Sequence, residues 1–220
     1  MSAPQAATTL LETVRVRNGV APLWPLHLER LRRSAQALDI ALPDITRPEG
    51  GEDRVLRFEC HDGGLYVTER EVGGTAPLAL VTAPMPHQGY PHKVAARAWL
   101  DSARLLARAR SADDMLFFDA DGWLVEASIW AIGWWDRDTL VFPPLALGGL
   151  PSVARARLGE IVRGRLAEGR LRREEISGKA LLACNAARGV VAVAALDADA
   201  VRANQRTVAI AKRFWDRPDA

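Results

Sequence analysis

Residues 84–91 carry Pro84, Pro86 and Pro91 together with Gly89, and no regular helix or central strand can run through them. They sit in the longest uncharged stretch of the chain, residues 72–92, which also holds Pro77. Four prolines in that stretch forbid a membrane-spanning helix. The segment reads as a linker, with an N-terminal α/β lobe over residues 1–83 and a C-terminal lobe over residues 92–220. A length of 220 residues suits either one sizeable domain or two small ones around a shared cleft.

Turn signals cut both halves into short elements. Val14 and Val16 alternate with Arg15 and Arg17 ahead of Asn18-Gly19, which predicts a hairpin over residues 11–24. Pro25 then opens a helix whose apolar stripe is Leu28, Leu31, Ala35 and Leu38. Residues 55–69 read as two strands joined at Asp62-Gly63-Gly64, and residues 78–82 as a further strand. Beyond the linker, residues 94–110 have a helical pattern. Residues 115–118 and 123–126 flank the turn Asp119-Ala120-Asp121-Gly122. Residues 132–135 and 139–142 flank a second turn. A helix is expected over residues 153–167, a strand within 180–195 and a closing helix within 201–215. Hairpins mixed with helices predict α+β, two α/β lobes with mainly antiparallel sheets.

Composition excludes several classes. Hydrophobic residues at 49% and charged ones at 25% suit a folded chain rather than a disordered one. A net charge of +2 gives no electrostatic case for nucleic acid. Cys60 and Cys184 are the only cysteines, too few for a disulfide framework or a four-cysteine zinc site. Residues 1–11 lack the basic and apolar regions of a secretory leader. A soluble, cytoplasmic protein without membrane contact is therefore expected. The tryptophans Trp130, Trp134 and Trp135 read as core or dimer contact.

The 29 basic residues include only three lysines, Lys93, Lys179 and Lys212, so chemistry needing a primary amine has few candidates. Four motifs follow in order. His27-Leu28-Glu29-Arg30-Leu31 lies in the first helix. His92-Lys93 ends the linker. Gly122 to Glu126 places an acid after a turn. Gly148-Gly149-Leu150-Pro151-Ser152 leads into a helix ending the motif at Arg155.

In this order and spacing, and with Glu12-Thr13 before the Asn18-Gly19 turn, the chain resembles the class IV aminotransferases, the fold-type IV group of pyridoxal 5'-phosphate (PLP) enzymes. The resemblance covers residues 11–193. Within the group it is most similar to 4-amino-4-deoxychorismate lyases, because Asn185 and Ala186 stand where aminotransferases have a Gly/Ser-Thr pair.

The resemblance implies the site. Lys93 takes the Schiff-base role, since only a primary amine condenses with the cofactor aldehyde; a solvated surface lysine is the other reading. Glu126 faces the pyridine nitrogen and keeps it protonated. Arg30 binds the phosphate with paired donors in one plane, leaving Arg32 and Arg33 to solvent. Ser152, Val153 and Ala154 offer helix N-terminal amides to the same phosphate. Asn185 and Ala186 belong to the cofactor-side loop. Arg97 and Arg188 would meet the carboxylates of a substrate that also carries an amine.

Family members pair as homodimers, so a homodimer is implied. The implied activity is lysis of 4-amino-4-deoxychorismate to pyruvate and 4-aminobenzoate, a step of folate biosynthesis. Two other readings stand beside it: an aminotransferase acting on branched-chain or D-amino acids, and a cofactor-free relative that serves as a binding protein. The chain departs from the family at Ala131, usually Asn, and at Ala154, usually Thr. It also has fewer residues ahead of Glu12 than the family has.

Overall fold

The computed structural model describes residues 8–61 and 63–216. Asp62, expected in a turn, and residues 1–7, part of the stretch compared with a secretory leader, lie outside the described residues. The chain divides into two compact units: Met1–Gly73 with His92–Arg97, and Gly74–Pro91 with Ala98–Ala220.

The first unit carries a three-stranded antiparallel sheet in the order β1 (Leu10–Val16), β2 (Arg54–His61), β3 (Gly64–Arg70). Helix α1 (Trp24–Ala37) has Pro25 in its first turn and packs against β1. Asn18 and Gly19 take positive φ values of 50° and 74°, as a primed hairpin turn requires. The hairpin itself is confined to the single bridge Arg17–Val20, because the chain enters α1 at Trp24. The full-length partner of β1 is β2. Leu10, Val14, Trp24, Leu31, Ala35 and Phe58 form the centre of this core.

The expected stripe on α1 is displaced. Leu38 is exposed and Leu28 half-buried, whereas His27, Arg30 and Ser34 face inward with Leu31 and Ala35. The cause is a charge on the facing strand. Glu12 shares the inward side of β1 with Leu10, Val14 and Val16, and a buried carboxylate must be partnered.

The second unit carries β4 (Leu78–Thr82), β5 (Asp114–Phe118), β6 (Leu124–Ala127), β7 (Ala131–Asp136), β8 (Thr139–Phe142), β9 (Leu166–Glu168), β10 (Ala180–Asn185), β11 (Gly189–Leu196) and β12 (Asp199–Ala200). Their order in the sheet is β6-β5-β4-β11-β10-β7-β8-β9, with β12 beside β11. Pairs β4–β5, β4–β11 and β8–β9 are parallel and the others antiparallel. Helices α2 (Ala98–Ala109), α3 (Val153–Val162) and α4 (Gln205–Arg213) complete it. Trp130 and Trp134 lie in its core with Leu116, Leu124, Ile132 and Leu181. No described helix is long and apolar enough to cross a membrane.

Four boundaries differ from the sequence reading. Helix α2 starts only at Ala98, because Val94 bridges Leu10 instead. Helix α3 stops at Val162, where Arg163 and Gly164 take positive φ and residues 166–168 join β8. Residues 180–196 form two antiparallel strands turning before Gly189. The division of the chain also differs from lobes at 1–83 and 92–220 with a linker at 84–91. Strand β4 is hydrogen-bonded between β5 and β11 of the second unit, and His92–Arg97 belongs with the first.

Candidate active site

In the first unit, the site residues gather where α1 faces β1. Glu12, His27 and Arg30 are almost wholly buried. The Arg30 guanidinium donates from Nε to Glu12 Oε1 at 2.8 Å and from Nη2 to Oε2 at 2.6 Å. This is the planar two-point pairing that suits arginine to a carboxylate. His27 Nδ1 lies 2.6 Å from Glu12 Oε2. Burial alone pushes the Glu12 carboxyl up, but Arg30, His27 and their hydrogen bonds outweigh it and hold it at about 2. Burial lowers the pKa of His27, with Glu12 opposing and the charges of Arg30 and Lys93 reinforcing.

Lys93 is half-buried on the segment that lies along β1. The Leu11 amide donates to the Lys93 carbonyl at 2.7 Å, and the Ala95 amide to the Thr9 carbonyl at 2.8 Å. His92 Nδ1 lies 3.2 Å from Ser34 Oγ on α1. The amine-bearing residue is thus fixed by backbone pairing on one side and by α1 on the other. Arg97 belongs to the same segment, while Arg32 and Arg33 are exposed.

In the second unit, Glu126 sits on β6 opposite Phe117 and is mostly buried. Its Oε2 accepts the Leu150 amide at 3.1 Å, and its Oε1 lies 3.1 Å from His87 Nε2. The turn 148–150 closes over the carboxylate because Gly149 has no side chain. A Cβ there would stand 3.3 Å from Val125 Cγ1 and 3.7 Å from a Glu126 oxygen. A cavity of about 20 Å³, room for about one water, opens beside Glu126, Ala131, Leu150 and Arg155. Ala131, where the resemblance implies an asparagine, lines this cavity.

Two residues further on, Ser152 caps α3, its Oγ accepting the Arg155 amide at 3.3 Å. The helix's own bonding begins with the Ala156 amide to the Ser152 carbonyl. The N–H groups of Val153 and Ala154 precede it and are available to an external acceptor.

Asn185 and Arg188 serve local structure. Asn185 Oδ1 accepts the amides of Ala187 and Arg188, and its Nδ2 donates to the Ile129 carbonyl at 3.4 Å. Ala186 is half-buried in the turn so formed. Arg188 lies over the Trp130 ring at 4.8 Å and donates to the Gly74 carbonyl.

The donor set fits PLP. By residue type, the first unit carries a primary amine on a backbone-held segment at Lys93, and the second carries a carboxylate with donors on both oxygens at Glu126 and the helix N-terminal amides of α3. Sequence reasoning missed two residues. Glu12 was legible as an acid on the inward face of an alternating strand. His87 carried no signal beyond a lone histidine in a proline-rich loop.

Among known proteins, the family model described as amino-transferase class IV matches residues 69–196. The bifunctional aminodeoxychorismate lyase / D-amino acid transaminase of Mycobacterium tuberculosis (strain ATCC 25618 / H37Rv) is 35% identical over 127 residues, which are 54% of this chain and 41% of that protein. The match therefore spans less than half the length of that relative. A candidate 4-amino-4-deoxychorismate lyase from Legionella pneumophila superposes with a TM-score of 0.81 at 20% identity, over 94% of this chain and 91% of that one. A branched-chain aminotransferase from Thermoproteus uzoniensis, solved with norvaline, gives 0.83 at 19% identity, over 94% and 84%. A hypothetical aminotransferase from Mycobacterium tuberculosis in its PLP-bound form gives 0.79 at 19% identity, over 98% and 93%. At these identities the superpositions establish the fold.

Proposed function

The chain belongs to the class IV aminotransferase family, and from that premise we propose that it is a PLP-dependent lyase that releases pyruvate from 4-amino-4-deoxychorismate to leave 4-aminobenzoate. The observation that carries the reading is Glu126: a mostly buried carboxylate with donors on both oxygens, one of them the Leu150 amide two residues before the cap of α3. When bound, PLP supplies an electron sink for the pair left at the substrate α-carbon.

The chain's own residues do the rest. Lys93 Nζ would hold the cofactor aldehyde covalently and would take the α-proton of the bound substrate. Glu126 keeps a proton on the ring nitrogen. Val153 and Ala154, with Ser152 as cap, receive the phosphate, and Arg30, held in one orientation by Glu12, complements it. Arg97 and Arg188 are proposed for the substrate carboxylates; for Arg188 this requires leaving Trp130. Asn185 and Ala186 border the cofactor through a turn that Asn185 itself stabilises.

A second reading is transamination of D-amino or branched-chain amino acids. The relative whose name joins lyase and D-amino acid transaminase favours keeping it. We further propose a cytoplasmic homodimer.

The first test is optical. Protein incubated with PLP should show the visible band of a lysine-bound cofactor, and Lys93→Ala should lose it. Absence of the band in the parent protein would favour the cofactor-free binding protein. Supplied with 4-amino-4-deoxychorismate, the loaded protein should release 4-aminobenzoate and pyruvate. Amine exchange between an amino acid and a 2-oxo acid, with no aminobenzoate formed, would replace the lyase by the aminotransferase.

A further inference from the structure

His87 lies outside every motif that identifies the family, yet its side chain is 1% exposed and touches Glu126. Its two ring nitrogens have different neighbours. Nδ1 accepts the Gly89 amide at 3.1 Å, so that nitrogen presents a lone pair. The hydrogen of the neutral ring must then sit on Nε2, which donates to Glu126 Oε1 at 3.1 Å.

The surroundings fix this arrangement. The His87 amide donates to the Phe118 carbonyl at 2.8 Å, which ties the loop to β5. Trp99 and Phe117 meet the imidazole edge-on, with centroids at 5.0 Å and 5.9 Å. Gly89 has a φ of 81°, a left-handed turn that returns its N–H to the ring. The Tyr90 amide then donates to the Gly148 carbonyl at 2.7 Å, so the loop holding His87 is bonded to the turn holding Leu150. Glu126 is clasped from both sides, one oxygen by His87 and the other by the Leu150 amide.

We propose that His87, as the Nε2–H tautomer, is the positioning residue that orients the Glu126 carboxylate toward the ring nitrogen of the cofactor. The inference deepens the PLP reading and rests on it for the role of Glu126. A histidine does this better than an aliphatic residue for a stated reason. Without its donor, Oε1 would lose a partner in a mostly buried place, and the carboxylate could turn away from the ring.

Two measurements test it. In the ligand-free protein, long-range ¹H–¹⁵N correlation of the histidine rings should show His87 protonated at Nε2 and bare at Nδ1. The opposite tautomer overturns the inference. Binding is then compared for PLP and for its carbocyclic analogue, in which a C–H replaces the ring nitrogen. His87→Phe should weaken PLP by about tenfold or more and leave the analogue within about threefold of its parent value. His87→Gln, whose amide can donate from nearly the same place, should restore most of the PLP affinity. Equal losses for both compounds would mean a merely structural role and overturn the inference. Unchanged PLP binding in a folded His87→Phe protein overturns it alone. A parent protein that binds neither compound overturns the PLP reading and this inference together, while the tautomer still tells whether the pair exists. Should His87→Phe fail to fold, the tautomer and the His87→Gln comparison of the two compounds decide.

Discussion

The most deeply buried described carboxylates of the two units, Glu12 and Asp114, are neutralised in opposite ways. Glu12 in the first unit meets a guanidinium and an imidazole, and its carboxyl is held at about 2. Asp114 in the second meets neutral donors: the Ser128 hydroxyl, the Ile129 amide at 3.2 Å and its neighbour Met115's amide at 2.8 Å. There burial dominates and pushes the carboxyl up, against those hydrogen bonds and the more distant charge of Arg104. The lesson is that hydrogen bonds alone do not offset the desolvation of a fully buried acid, whereas a cation in fork geometry does.

The sharpest way to break the contrast is Glu12→Ala. It leaves Arg30 and His27 buried without their anion, and should cost about 3–5 kcal/mol in the unfolding free energy measured by denaturant titration. Arg30 should at the same time lose its fixed orientation.

Acidification comes next. Glu12 has a folded value below its unfolded value of 4.5, so its contribution is complete above 4.5 and is lost as pH falls toward 2. The loss is on the order of 3 kcal/mol. His27, also lowered, adds to it, because its neutral folded form is penalised as pH falls below its unfolded value of 6.5. Asp114 runs the other way: its folded value lies above 3.8, so its contribution is full below 3.8 and declines as pH rises through that value. Unfolding free energies of the parent, Glu12→Gln and Asp114→Asn proteins across pH should show this. The parent's advantage over Glu12→Gln should shrink on acidification, and its standing against Asp114→Asn should improve.

The smallest effect belongs to the neutral-donor site at neutral pH. Asp114→Ala strands the Ser128 hydroxyl and the Ile129 amide and should cost about 1–3 kcal/mol. Asp114→Asn keeps an acceptor and removes a buried charge, so it should cost less. A cost for Asp114→Asn equal to that of Glu12→Ala would erase the distinction between the units.

Local signals carried much of the fold. Proline at the start of α1, the glycine turns and the strand alternation mark most elements, and β4 falls on residues 78–82 as expected. What the local pattern did not carry was long-range pairing. Nothing near Asn18-Gly19 tells that β1 prefers β2, and nothing in residues 92–97 tells that they return to the first unit. For the site, the expectations at Lys93, Glu126 and the start of α3 came from the order of the family motifs, and the fold puts these residues on the segment along β1, on β6 and at the Ser152 cap. Arg30 was legible as a cation but not as the partner of Glu12, since that contact joins a strand to a helix. His87 was illegible because its meaning lies in a β-strand carboxylate far along the chain.

Val94 completes the first unit only by returning to Leu10 after the chain has already laid down β4 of the second. A ribosome therefore releases the three-stranded sheet and α1 well before the segment that brings the amine. A fragment ending at Gly73 would lack Lys93 altogether, and a nick between Thr82 and His92 would leave the amine on a different fragment from Thr9 and Leu11, held to them by backbone hydrogen bonds.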